Sequence, residues 1–217
     1  DHQLGRLIRE LRDEGVLNDT VLLFTSDHGE MLGDHYMLRK SQPYEGSCHV
    51  PLLLWDPGGH LGLPKGARCS ALAELRDVMP TLLEAAGLPI PDSVDGKPLL
   101  GAARTGSEVR QSLHGEHTAQ CGAPHSAHYM LEGPYKYIWY SHTGCEQLFD
   151  LARDPRELQD LACDPAHQQA LARLRGLLAR QLAGREEGYS DGTRLIVGRP
   201  PVTVLRHPLC KTEDALC

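Results

Sequence analysis

The sequence predicts an α/β fold that continues into a smaller α+β unit with an antiparallel sheet. A helix-periodic segment near the start of the 217-residue chain is followed by short, wholly apolar runs. A long polar loop follows the first of these runs. Four short, alternating segments bounded by turn residues then occupy the middle of the chain, and this pattern is typical of antiparallel strands.

The α/β pattern fills residues 1–107. Its opening segment places leucine and isoleucine at helical spacing between charged residues, and Gly15 ends it. The apolar run at 21–24 is continuous, which is typical of a buried parallel strand. The predicted elements, in order, are a helix over 2–14, strands over 21–24, 50–55 and 68–73, a helix over 75–86 and a connecting loop over 88–108.

The sequence predicts a small C-terminal subdomain over residues 108–183. It predicts an extended tail, rich in Gly and Pro, over residues 184–217. The last predicted helix carries one stripe of leucines, which indicates a face packed on a core. The elements predicted after residue 107 are strands over 112–117, 126–131, 135–140 and 147–151, helices over 155–161 and 165–182, and a hairpin over 189–197.

Composition excludes some classes of protein. The net charge of −7 argues against a nucleic-acid binder, which needs clustered Lys and Arg. No apolar run reaches the roughly 18–20 residues of a membrane span. The seven cysteines are irregularly spaced without a CxxC motif, which favours reduced thiols; the alternative, for an exported protein, is one disulfide among Cys121, Cys145 and Cys163. The sequence does not decide the compartment.

The polar loop after the first strand carries the candidate functional residues. Asp27 and His28 follow the strand directly, where ligands of open α/β sheets bind. An oxygen and an imidazole nitrogen suit a divalent metal, although a capping Asp in a strand-end turn is the alternative interpretation. Lys40, twelve residues after His28, can neutralise an anionic oxygen beside the metal; a solvated loop lysine is the alternative.

Taken together, the motifs of the chain resemble the C-terminal signature of type I sulfatases, which belong to the alkaline-phosphatase superfamily. The resemblance covers residues 1 to about 183, and it rests on the order and spacing of the motifs as well as on their residues. The motifs are Thr25-Ser26-Asp27-His28-Gly29-Glu30, Gly33-Asp34-His35, Lys40, Pro43-Tyr44-Glu45, Val50-Pro51-Leu52, Val94-Asp95-Gly96 and the segments 77–83, 135–138 and 147–151.

The resemblance implies the C-terminal part of an α/β/α sandwich with a small subdomain, in an enzyme that hydrolyses small-molecule or carbohydrate sulfate esters. It implies that Asp27 and His28 bind a divalent metal, expected to be calcium, with Mn²⁺ or Mg²⁺ as alternatives. It also implies that Lys40 is catalytic and contacts the sulfate. The alternatives are a phosphonate monoester or phosphodiester hydrolase of the same superfamily, or a non-catalytic pseudo-sulfatase. An oligomer is compatible with the sequence.

The nucleophile of such sulfatases is a formylglycine made in a Cys/Ser-x-Pro/Ala-x-Arg motif. That motif is absent from these 217 residues, as are the N-terminal pair of Asp ligands and a starting Met. We therefore expect a C-terminal fragment that is inactive alone, with the formylglycine upstream.

The sequence His114-Gly115-Glu116-His117 offers further polar side chains. On a strand, His114 and Glu116 share one face while His117 takes the other, so we do not expect all three to bind one metal. A surface or packing role is favoured, and His117 is kept as a candidate for substrate binding.

Overall fold

The computed structural model describes residues 1–117 and 126–199. The chain divides into two compact units, of which the first comprises residues 1–27 and 50–111 and the second comprises residues 28–49 with the chain from 112 onwards. Within the described ranges, no helix is both long enough and apolar enough to cross a membrane. The elements are α1 (His2–Asp13), β1 (Leu22–Thr25), α2 (Glu45–Cys48), β2 (Leu52–Trp55), α3 (Val78–Ala85), α4 (Leu100–Thr105), β3 (Ser112–His117), β4 (Ala127–Glu132), β5 (Tyr135–Tyr140), β6 (Glu146–Asp150) and α5 (Gln168–Gln181).

In the first unit, α1 and the strands β1 and β2 form where the sequence predicts them. The parallel orientation expected for β1 is wrong, because β1 pairs antiparallel with β2, with Leu22 opposite Trp55. Burial on both faces is also not observed, since Phe24 keeps 46% of its surface exposed. A continuous apolar run reports hydrophobicity but carries no information about the direction of the neighbouring strand.

Two further predictions for the first unit are wrong. Residues 68–73 form no strand, and the carbonyl of Leu72 accepts a hydrogen bond from the Arg110 guanidinium at 2.8 Å rather than from a strand. The predicted loop over 88–108 contains the short helix α4, whose Leu100 is fully buried. A helix of this length is difficult to predict from the sequence because Pro and Gly residues flank it.

Asp77 organises the start of α3. Its carboxylate is fully buried and accepts hydrogen bonds from the backbone of Glu74 and Lys97 and from both ends of the Arg110 guanidinium, at 2.6–2.9 Å. Burial opposes ionisation, but these hydrogen bonds, led by the one from Arg110, lower the pKa of Asp77. The Asp of the 77–83 motif is therefore a structural centre of the first unit.

The second unit contains the predicted four-stranded antiparallel sheet, in the order β3-β4-β5-β6. The central strand β5 is covered on both faces. Tyr137 and Trp139 pack against α5, whereas Ile138 packs against the polar loop that contains Met31 and Tyr44. The leucine stripe of α5 is buried as predicted, at Leu171, Leu174, Leu178 and Leu182.

The segment after β6 differs from its prediction. Residues 155–161 form turns and not a helix. The carboxylate of Asp154 accepts the backbone N–H of Gln159, and that of Asp160 accepts the N–H groups of Leu148 and Ala162. Such side-chain hydrogen bonds compete with helical ones, and Glu157 adopts a left-handed φ of 56°.

Two smaller predictions concern the hairpin and the cysteines. The hairpin at 189–197 is present as a bridge between Ser190 and Leu195, and Tyr189 is buried in the core beside α5. Cys145 and Cys163 carry free thiols, and Cys121 lies outside the described residues.

Candidate functional site

Asp27 and His28 follow the end of β1, as the sequence predicts. Asp27 is exposed, and its Oδ1 accepts a hydrogen bond of 3.4 Å from the Ser26 hydroxyl. The Nδ1 atom of His28 lies 2.8 Å from the carbonyl oxygen of Gly29. Because a carbonyl can only accept, Nδ1 carries a proton, and in the neutral imidazole the lone pair then lies on Nε2. This is the tautomer in which a histidine binds a metal through Nε2.

Gly29 lies where two backbone segments meet. Its N–H donates to the carbonyl of Ser47 at 2.8 Å. A Cβ at this position would lie 2.1 Å from the carbonyl oxygen of Gly46. The glycine is therefore required by close backbone contact.

The loop that carries Lys40 is held in an unusual backbone conformation. Hydrogen bonds join Met31 N–H to the Arg39 carbonyl and Gly33 N–H to the Met37 carbonyl, and the Glu30 carboxylate accepts the N–H of Arg39. Left-handed φ values in non-glycine residues are costly, and they concentrate at functional sites. In this loop they occur at Leu32, His35, Tyr36, Arg39 and Ser41.

Aromatic contacts fix the same loop to the sheet of the second unit. Met31 is fully buried in a cluster with Tyr44, Ile138 and Phe149. The ring of His35 stacks on Tyr44 with centroids 4.2 Å apart, and its Nε2 lies 3.2 Å from the Arg156 carbonyl. In this structure His35 thus holds the loop in place.

A buried lysine, which the sequence did not single out, holds α2. Lys136 has no exposed surface, and its Nζ lies 2.9 Å from the carboxylates of Glu45 and Glu157 and 3.3 Å from Cys48 Sγ. The backbone N–H of Glu45 donates to Glu157 at 2.7 Å. The sequence signal that could have identified this buried lysine is its place as the single lysine among the aromatic and aliphatic residues of β5.

These contacts keep Glu45 ionised. Burial opposes its ionisation, but the hydrogen bond with His49 and the charge of Lys136 outweigh burial and lower the pKa of Glu45 to about 2. The hydrogen bond with Glu45, 2.7 Å long, raises the pKa of His49 in turn. Glu45 is therefore ionised across the physiological range.

The structure places the remaining two predicted site residues without testing their roles. Lys40 is exposed between two left-handed residues, Arg39 and Ser41, and within the described part of the chain it forms no hydrogen bond or ion pair. His117 is half-buried at the end of β3, opposite Ala127. Substrate contact by either residue stays a prediction.

A second group of possible metal ligands lies on β3 and β4. His114 and Glu116 share one face of β3, as predicted, and His128 on β4 lies directly opposite Glu116. The ligand atoms of the three side chains lie within 4.8 Å of one another. The sequence analysis missed His128 because it follows from strand register; the signal was a histidine on the next predicted strand.

Comparison with known proteins identifies the family. The family model named Sulfatase matches residues 1–88. An arylsulfatase of Clostridium perfringens is 45% identical over 208 residues, which cover 95% of this chain and 42% of that protein. The chain belongs to the sulfatase family. Arylsulfatase K of Bos taurus is 35% identical, over 75% of this chain and 31% of its own length, so the sulfatase chain described here spans less than half of these relatives.

Solved structures confirm the fold of this sulfatase chain as α/β with antiparallel sheets, of the alkaline-phosphatase type. A protein in complex with its substrate D-glucosamine-2-N,6-O-disulfate matches with a TM-score of 0.75 at 23% identity, over 83% of this chain and 37% of that one. The phosphonate monoester hydrolase of Agrobacterium radiobacter matches with a TM-score of 0.69 at 31% identity, over 82% and 38%. Membership of the family implies a divalent metal without identifying it.

Proposed function

We propose that the whole protein hydrolyses sulfate esters as a sulfuric ester hydrolase, and that this chain supplies Asp27, His28 and Lys40 to its active site. The observation that carries the proposal is the hydrogen bond from His28 Nδ1 to Gly29, which leaves the lone pair on Nε2 in the residue that follows Asp27. The 45% identity to an arylsulfatase supports the same reaction.

The donor set fits a divalent metal. Asp27 offers an exposed carboxylate and His28 an imidazole nitrogen in the correct tautomer. We propose calcium, with Mn²⁺ or Mg²⁺ as alternatives. When bound, the metal polarises the sulfate and neutralises its charge. Since the formylglycine motif is absent from these residues, we place the nucleophile outside them.

Lys40 acts on the leaving group in this proposal. Its ammonium stabilises the negative charge that develops on the bridging oxygen as the sulfur–oxygen bond breaks. Arg39 and Ser41 have strained left-handed backbones in a loop that is held by hydrogen bonds. This backbone fixes the direction of the Lys40 side chain before the substrate binds. His117 is proposed as a substrate contact. The substrate is a small-molecule or carbohydrate sulfate ester; one structural neighbour was solved with a disulfated glucosamine.

Turnover of two substrates by the whole protein tests the reaction class. We expect an aryl sulfate to be hydrolysed with a higher kcat/KM than phenyl phosphonate. A preference for phenyl phosphonate would instead assign the phosphonate hydrolase activity named for the Agrobacterium structure. Hydrolysis of neither compound would favour a non-catalytic relative.

Replacing Lys40 tests its role. Lys40→Ala in the whole protein should lower kcat by roughly 100- to 1000-fold, because the leaving oxygen loses its cation. The melting temperature should stay unchanged, since the side chain is exposed. Lys65→Ala removes another exposed lysine and serves as the matched control, with unchanged kinetics expected. Unaltered kcat in Lys40→Ala would refute the assignment.

A further inference from the structure

We propose that His114, Glu116 and His128 form a second metal site, which binds Zn²⁺ or a similar transition-metal ion. Among residues 1–117 and 126–199 these three side chains are the group of His, Cys, Asp or Glu that converges closely enough to hold an ion. They include neither Asp27 nor His28, so this inference does not depend on the proposed sulfatase site.

The distances between the three side chains suit a tetrahedral ion. His114 Nε2 lies 3.3 Å from His128 Nδ1, and His128 Nδ1 lies 3.3 Å from Glu116 Oε2. Zinc–nitrogen bonds of about 2.0–2.1 Å at tetrahedral angles separate two ligand nitrogens by about 3.3 Å. The third separation, from His114 Nε2 to Glu116 Oε2, is 3.9 Å and requires only a small adjustment of an exposed carboxylate.

Strand register brings the three ligands together. His114 and Glu116 alternate on β3, and Glu116 is paired directly with His128 on β4. Cross-strand neighbours on one face of an antiparallel pair have Cβ atoms roughly 5 Å apart, so the rigid sheet presets the spacing. A site on paired strands loses little conformational freedom when an ion binds.

The buried ring of His128 is oriented by partners on its other side. Its Nε2 lies 3.1 Å from the Ser126 hydroxyl, which lies 3.0 Å from the Ser141 hydroxyl. The Ser126 hydroxyl can accept from Nε2–H and donate to Ser141, which leaves the lone pair of Nδ1 for the ion. Metal-binding histidines usually have such a partner on the second nitrogen.

The ligand types and charges select the ion. Two imidazoles and one carboxylate suit zinc and leave a fourth position for water, whereas calcium prefers six to eight oxygens. Glu116 is half-exposed and so provides a path from solvent. Arg185 holds the Glu116 carboxylate at 2.8 and 3.2 Å, but it also pairs with Glu187 at 2.7 Å, so its charge is shared between two carboxylates.

Zinc titration of the 217-residue chain by calorimetry tests the site, with Co²⁺ absorption as a report of tetrahedral geometry. We expect one zinc per chain, with binding weakened about 100-fold or more in Glu116→Gln and in His114→Gln. Zinc should also raise the melting temperature of the unaltered chain, because it binds the native state. Any calcium binding at Asp27 and His28 should be the same in Glu116→Gln, in His114→Gln and in the unaltered chain, because both variants keep those two residues.

Two controls separate metal binding from a structural role. Arg185→Gln breaks the same ion pair as Glu116→Gln but keeps all three ligands, so it should bind zinc at least as tightly as the unaltered chain. His49→Gln alters an exposed histidine paired with a carboxylate elsewhere and should bind zinc normally. Absence of zinc binding, or unchanged zinc affinity in both ligand variants, would overturn the proposal.

Discussion

At the scale of single residues, Gly29 is a position that tolerates no side chain. The carbonyl of Gly46 lies 2.1 Å from the point where a Cβ would be placed, and that carbonyl is backbone that cannot rotate away. Gly29 directly follows His28, whose Nδ1–H it accepts. A shift of the backbone here would therefore disturb the proposed metal ligand His28 as well as the loop.

We predict that Gly29→Ala lowers the free energy of unfolding by at least about 2 kcal/mol, measured by urea denaturation. Gly5→Ala is the matched control: it lies inside α1 with only the Arg9 side chain within 4 Å, at 3.6 Å, and should stabilise the chain by about 0.5–1 kcal/mol. If both alanines had equal effects, close backbone contact at Gly29 would not be the reason for the glycine.

At this scale, sequence analysis identifies the candidate residues whose location depends on a single strand. Asp27 and His28 were identified because they follow an apolar run, and His114 and Glu116 because they alternate. His128 was missed because its place opposite Glu116 depends on the register between two strands. Periodicity within one segment contains no information about register.

At the scale of elements, the ion cluster of Lys136, Glu45 and Glu157 fastens α2 to β5. Lys136 is fully buried, so its charge depends on its two carboxylate partners, Glu45 and Glu157, each 2.9 Å from Nζ. The ordinary pKa of Glu45 is 4.5 and its value in the folded chain is about 2. Its contribution to stability is therefore fully present above pH 4.5 and is lost as the pH falls towards 2.

We predict that the free energy of unfolding of the chain decreases between pH 4.5 and pH 2, and that Glu45→Gln removes part of this decrease. The variant should also be less stable at pH 6, because Lys136 then keeps one carboxylate partner fewer. Urea denaturation of both proteins at several pH values measures the effect. Parallel stability curves for the two proteins would contradict it.

Elements with a repeated pattern are predicted correctly from the sequence. Four alternating segments gave β3 to β6, and the leucine stripe gave α5. The predicted helix at 155–161 failed because Asp154 and Asp160 bind backbone N–H groups. The direction of β1 failed because an apolar run does not specify its partner. Prediction of the elements is therefore limited by side-chain hydrogen bonds that compete with helical ones and by the pairing of strands that are distant in sequence. Composition is not the limit.

At the scale of the whole molecule, the family motifs are distributed over both compact units. The matched region ends at residue 88, whereas the similarity to the Clostridium arylsulfatase extends over 95% of the chain. The loop with Lys40 belongs to the second unit, together with the sheet that carries the proposed zinc site. Among the residues of the proposed sulfatase site, Asp27 belongs to the first unit, and His28 and Lys40 belong to the second.

We predict that the 217-residue chain alone hydrolyses no aryl sulfate, even though it carries Asp27, His28 and Lys40. Lys40 and a metal can stabilise charge only if a nucleophile attacks sulfur, and the motif that forms the formylglycine is absent from these residues. The assay compares the chain, its Lys40→Ala variant and the whole protein with excess calcium. Turnover by the chain that disappears in Lys40→Ala would contradict the prediction, because contaminating activity would be equal in both preparations.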